Sequence, residues 1–221
     1  MARDPASARD ALIGILRHAY SGERAAALAY RGHWRSLPEG SDRARIREIE
    51  AEEWSHRDSI GGKLAALGAR PGAWREVRAA AIGRTLGALC HVAGRFAPMY
   101  GAGRLESGNI REYEAAAVLA VEAGRFEWAE CFLDMAEVEW EHERYFRSRV
   151  ADHPWLRWIS LWPAPAPKWE IRPSFRRRAA TPPEDLLPER PKESSRARAA
   201  QLREMRAAQL REMRAARDRM R

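Results

Sequence analysis

The stretches Glu53-Trp54-Ser55-His56 and Glu139-Trp140-Glu141-His142 decide the reading of this chain. Residues three apart share one face of a helix, so each stretch presents a carboxylate and an imidazole together. Of six histidines, just these two have a glutamate three positions earlier. One such pair is common on a solvated helix; two of them on separate long helices form a pattern. A second pattern runs beside it. Of five tyrosines, just Tyr30 and Tyr113 follow a glutamate by seven residues, Glu23 and Glu106. Seven residues are close to two helical turns, so Glu and Tyr again lie on one face. The chain reads as a duplicated unit, Glu-x6-Tyr on one helix and Glu-x2-His on its partner. The two glutamates are spaced by 30 residues in the first half and by 33 in the second.

Periodicity and breakers supply the helices that carry these residues. The first runs from about Asp10 to Trp34 and ends at Leu37-Pro38-Glu39-Gly40. The second follows a cap at Ser41-Asp42 and runs through Leu67 to the Gly68-Ala69-Arg70-Pro71 stop. A third, about Ala73 to Phe96, is apolar and small. The fourth covers roughly Gly103 to Ala123, and the fifth runs from Phe126 to Val150 before Pro154. The expected fold is all-α, a four-helix bundle over residues 1–150 with one extra apolar helix. A Trp- and Pro-rich docking segment, 151–171, and a basic C-terminal extension, 172–221, follow. That extension contains the direct repeat AAQLREMR at 199–206 and 207–214.

Two antiparallel hairpins of this length bring Glu23, Glu53, His56, Glu106, Glu139 and His142 to one level. A Glu from each of two helices and Glu-x-x-His from each of the others is the donor pattern of ferritin-like di-metal carboxylate bundles. Carboxylate and imidazole donors suit iron or manganese, and six ligands exceed what one zinc ion takes. Four carboxylates balance two divalent cations, which lets the filled site be buried. Ala26, Ala27, Ile110, Phe132 and Met135 flank the glutamates, as a cored site requires. Glu112 and Glu114, on either side of Tyr113, are alternatives to Glu106. Glu50, Glu52, Glu137, Glu141 and Glu143 are expected in solvent or paired with arginines, and His18, His33, His91 and His153 in packing or surface roles.

Charge and cysteine usage narrow the function classes. The net charge is +8, but residues 172–221 hold 15 Lys and Arg against 7 Asp and Glu, so the body is formally neutral. The basicity belongs to the tail, and nucleic acid is not the expected partner. The two cysteines, Cys90 and Cys131, have no metal-ligand spacing, which fits a reducing compartment. No secretory signal and no run of 18 apolar residues is present, so no transmembrane helix is expected.

Gly22-Glu23 through Ala26, Tyr30, Gly32 and His33 resembles the first-helix motif of the demethoxyubiquinone hydroxylases, GE-x2-A-x3-Y-x-G-Q, with His33 at the position of the Gln. Glu53-x-x-His56, Arg70-Pro71, the Gly-rich stretch at Gly83 to Ala88, Glu106…Tyr113 and Glu139-x-x-His142 follow in that family's order. The resemblance covers about residues 10–150. It implies two iron ions per chain, Glu53 and Glu139 bridging them, and Glu23, Glu106, His56 and His142 as terminal ligands. It implies an O₂-dependent hydroxylation of the ring of a hydrophobic quinone precursor, with Tyr30 and Tyr113 as candidate catalytic residues. The expected location is cytoplasmic, peripheral on the inner face of the cell membrane. An electron donor is required, and a homo-oligomer is compatible with the pattern. The stretch 77–105 reads equally as a lipid-facing wall and as a core helix. Glu112 stands where the family carries a histidine. A rubrerythrin- or ferritin-like peroxide-scavenging or iron-handling protein is the competing reading, although the chain lacks a Cys-x-x-Cys pair. A third assigns the tail to anionic lipid or nucleic acid.

Overall fold

A computed structural model describes residues 4–179, in which every α- or 3-10 element is helical and no strand occurs. The elements are α1 (Pro5–Ser36), α2 (Ser41–Ala66), α3 (Ala73–Leu89), α4 (Phe96–Glu122), α5 (Phe126–Val150) and α6 (Ile171–Arg178). Helix α1 begins earlier than its apolar periodicity indicates. Asp4 caps it by accepting from the backbone N–H groups of Ala6 and Ser7 at 3.1 and 3.0 Å, and Pro5 supplies a preset φ at the first position. The Ser41-Asp42 cap does not form. Gly40 holds the cap position without a side-chain bond, and Asp42 instead meets Arg149 at 2.9 Å and accepts from Tyr145 at 3.0 Å.

The long helices form a bundle: α1 lies along α2, α4 along α5, and α1 against α4. Side chains close the remaining side, with Ser59 and Lys63 of α2 reaching Cys131 of α5 at 3.4 and 3.1 Å. Each long helix buries apolar residues at two levels with a polar stretch between. Leu12 and Leu16, Ile60 and Leu64, Ile110 and Ala117, and Phe132 and Met135 make one apolar layer. Tyr30, Ile46 and Ile49, Phe96 and Met99, and Phe146 and Val150 make the other. Glu23, Glu53, His56, Glu106, Glu139 and His142 fall between the layers, all buried. Each large aliphatic or aromatic side chain contributes about 1.5–3 kcal/mol on burial.

The apolar stretch 77–105 is not one element. It divides at a turn after Leu89 that passes through Gly94 with φ of 69°, and Phe96 begins α4 rather than ending α3. Helix α3 lies on α1 through a small-residue stripe, Ala79, Ala80, Gly83 and Gly87. A Cβ on Gly83 would stand 2.4 Å from the Ala25 carbonyl oxygen, so only glycine permits this approach. The opposite face exposes Trp74, Val77, Ile82, Leu86 and Leu89. The helix is therefore an outer layer with an apolar outward face.

Beyond α5 the Trp-rich segment divides. Trp162 is buried and donates from Nε1 to Glu143 at 2.7 Å, while Trp155, Trp158 and Trp169 are exposed. The expected boundary at 172 moves. Helix α6 packs Ile171 and Phe175 into the first apolar layer, and Ala179 is buried there too. Arg172 pins the helix to α5 through Glu130 at 2.6 Å, Asp134 at 2.7 Å and Glu137 at 2.5 Å, carboxylates spaced along one face. The repeat at 199–214 lies outside the described residues.

Candidate metal centre

The helical spacings read from the sequence converge at the polar level. Glu23, Glu53, His56 and Glu139 form one group whose ligand atoms lie within 4.8 Å of one another, and Glu53, Glu106, Glu139 and His142 form a second. Glu53 and Glu139 belong to both. All six residues expected as ligands are thus brought together, each 8% exposed or less.

The orientation of their atoms is the test of whether a cation fits. Glu23 Oε2, both oxygens of Glu53, Glu139 Oε1, His56 Nδ1 and His142 Nδ1 are buried without a hydrogen-bond partner. Buried polar atoms are normally paired, because leaving one unmade costs about 1–3 kcal/mol. Here the unpaired atoms face one another. His56 Nδ1 is 2.9 Å from Glu139 Oε1, and His142 Nδ1 is 3.3 Å from Glu53 Oε1 and 3.6 Å from Glu139 Oε2, distances within ion-pair range but not aligned as hydrogen bonds. Oxygen and nitrogen donors converging on shared space fit a metal ion.

The electrostatics say the same. Burial, and then the carboxylates of Glu53, Glu139 and Glu106, push Glu23 well above the ordinary carboxylate range. Glu106 rises well above it too, by burial and then by Glu139 and Glu53. Burial alone would raise Glu139 as well, but His142 and His56 outweigh it and hold Glu139 well below that range. Burial opposes the charged form of His142, yet Glu139, Glu52 and Glu53 raise it well above the usual histidine value. Crowding the buried carboxylates thus favours the protonated forms of Glu23 and Glu106, a cost that a cation held between them would relieve.

Two phenols complete the level, and they cross. Tyr30 of α1 donates to Glu106 of α4, while Tyr113 of α4 donates to Glu23 of α1. Burial, followed by Glu106 and Glu53, raises Tyr30 well above the usual phenol value, so it stays a donor at neutral pH. No family model matches the chain, and no curated protein or solved structure does.

The alternatives to Glu106 point elsewhere: Glu112 pairs with His18 Nδ1 at 3.0 Å, and Glu114 with Arg178 at 2.9 Å. Several residues read as peripheral have closer roles. Glu52 accepts from His142 Nε2 at 2.7 Å. Glu143, expected in solvent or paired with an arginine, does pair with Arg147 at 2.6 Å, but it is fully buried. Glu50 is buried as well, held by Arg31 and by Trp34 Nε1, each at 2.7 Å. Asn109, which no spacing singled out, donates to Glu106 Oε2 at 2.8 Å. Its position three residues after Glu106 was the available signal. Among the other histidines, His33 is buried against Phe146 and His18 is exposed.

Proposed function

We propose that this chain is a ferritin-like di-iron carboxylate enzyme that uses O₂ to hydroxylate the ring of a demethoxyubiquinone-like quinone at a membrane surface. The observation that carries the proposal is the pair of buried donor groups sharing Glu53 and Glu139. Glu23 and His56 complete one metal position, and Glu106 and His142 the other. Iron bound there supplies O₂ binding and electron transfer; manganese fits the same donors. Tyr30 and Tyr113 direct their hydroxyl protons onto Glu106 and Glu23 beside the centre and hold those carboxylates in place. The outward face of α3, with Trp74, Val77, Ile82, Leu86 and Leu89, supports docking on lipid. No helix among the described residues is long and apolar enough to cross a membrane.

The test combines anaerobically reconstituted protein with a short-chain demethoxyquinone, a reductant and isotopically labelled O₂. A product one labelled oxygen atom heavier, absent in Glu139→Ala, is expected. An unchanged quinone refutes the substrate assignment. Co-sedimentation with anionic vesicles tests the docking face, and protein that stays in the supernatant at low salt refutes it.

A second reading, peroxide scavenging or iron handling, is favoured by one observation. The cavity beside Glu23 and Tyr113 measures about 40 Å³, room for a water-sized molecule but not for a quinone ring. Consumption of peroxide or of excess ferrous ion, with the quinone untouched, would select this reading. Particle size in solution separates a cage from a monomer or dimer.

A further inference from the structure

The duplicated motif makes the two metal positions look equivalent, yet their surroundings differ. His142 turns Nδ1 toward Glu53 and Glu139 and donates its other ring N–H to Glu52 at 2.7 Å. Glu52 is itself held by Arg45 at 3.2 Å. A carboxylate behind a ligating imidazole fixes the ring and makes the nitrogen facing the metal more basic. His56 likewise turns Nδ1 toward Glu139, but no carboxylate among the described residues pairs with its Nε2, and the residue keeps a small exposed edge. The repeat explains the difference. Val138 precedes Glu139 as Glu52 precedes Glu53, and valine offers no acceptor.

A second, independent observation separates the positions. The cavity is lined by His18, Gly22, Glu23, Asn109, Glu112 and Tyr113 among others; Glu23 is the one of the six candidate ligands on its wall, while Glu106 is reached only through Asn109. Gly22 is an exposed residue on this wall, and a Cβ there would meet nothing within 4 Å, so a larger side chain fits at the cavity without a clash.

We propose that the two positions divide their labour. Glu52 is a positioning residue that makes the Glu106–His142 position the tight one, and the Glu23–His56 position is the exchangeable one that meets small ligands. This rests on the di-metal reading.

The test is an anaerobic titration of chelator-stripped, full-length protein with Co²⁺ and with Fe²⁺, followed by azide as a small anionic probe. Wild type takes up two ions in two resolved steps. Glu52→Gln keeps the size and an acceptor but removes the charge, and it weakens the tighter step by about 10-fold or more while sparing the weaker one. Gly22→Val narrows the cavity; it slows azide binding and leaves the tighter step intact. Far-UV circular dichroism verifies that each variant is folded, and the wild-type and Gly22→Val arms stand without Glu52→Gln. Two equal steps in wild type, or a Glu52→Gln titration identical to wild type, overturn the proposal while leaving the di-metal reading in place. Azide binding unaffected by Gly22→Val overturns the assignment of the exposed position. Uptake of no ion at all overturns the di-metal reading as well.

Discussion

Replacing Glu139 with alanine strikes both metal positions at once, because this carboxylate belongs to both donor groups. Glu23→Ala strikes only the group containing His56. An ion present at about 100 times its dissociation constant adds about 2.7 kcal/mol to the folded state. For a chain of this size 1 kcal/mol moves Tm by roughly 2–4 °C. Two ions should therefore raise the Tm of the wild type by roughly 10–20 °C over the chelator-treated protein. Glu23→Ala should keep about half of that rise, and Glu139→Ala almost none. The rise is the quantity to compare, since each variant also alters the metal-free fold. Glu139 is fully buried against two imidazoles, so its removal affects metal-free stability on its own account. Scanning calorimetry with and without Fe²⁺ under argon, together with iron analysis, gives both quantities. A Glu139→Ala protein with the full rise and full iron would refute the shared-ligand geometry.

Alanine at Glu106, Glu112 and Glu114 in turn should cost iron only at Glu106, because Glu112 and Glu114 are engaged by His18 and Arg178; iron lost at Glu114 and retained at Glu106 would reverse the assignment. Burial, partly offset by Asp42, lowers the pKa of His33 to about 4, so the fold holds it neutral. Its contribution is complete above the unfolded value near 6.5 and falls as pH drops toward 4, by roughly 3 kcal/mol in all; denaturant midpoints across that range should flatten in His33→Gln relative to wild type. Gly83→Ala forces a Cβ to within 2.4 Å of the Ala25 carbonyl oxygen and should destabilise by about 1–3 kcal/mol. Gly108→Ala meets nothing within 4 Å and should instead stabilise α4 by about 0.5–1 kcal/mol, both read from urea melts.

The bundle was legible because its signals are local. Glu-x-x-His and Glu-x6-Tyr are spacings within a helix, and α5 ends where Val150 approaches Pro154 as its periodicity indicates. The misread parts depend on contacts between helices. Nothing along α2 reveals that Glu52 reaches His142, since that bond crosses 90 residues. Glu143 stands four residues before Arg147, which made the pairing readable but not the burial beneath Trp162. The place of the break within 77–105, after Leu89 rather than after Phe96, was hidden because one apolar composition serves both the outer helix α3 and the start of α4. Helix α6 escaped notice because Ile171 and Phe175 are too few to make a periodic signal amid arginines.

The crossed phenol bonds bear on how such a centre can arise and persist. Tyr30 and Tyr113 each serve the carboxylate of the opposite hairpin, so a lone hairpin would find its missing partners in a twin copy, as in a two-fold symmetric dimer. Joining the twins in one chain makes their encounter intramolecular, at an effective concentration set by the connection rather than by the cell. The assembly then survives any dilution. It also releases the twins from being identical, a freedom that a symmetric pair of separate chains never has.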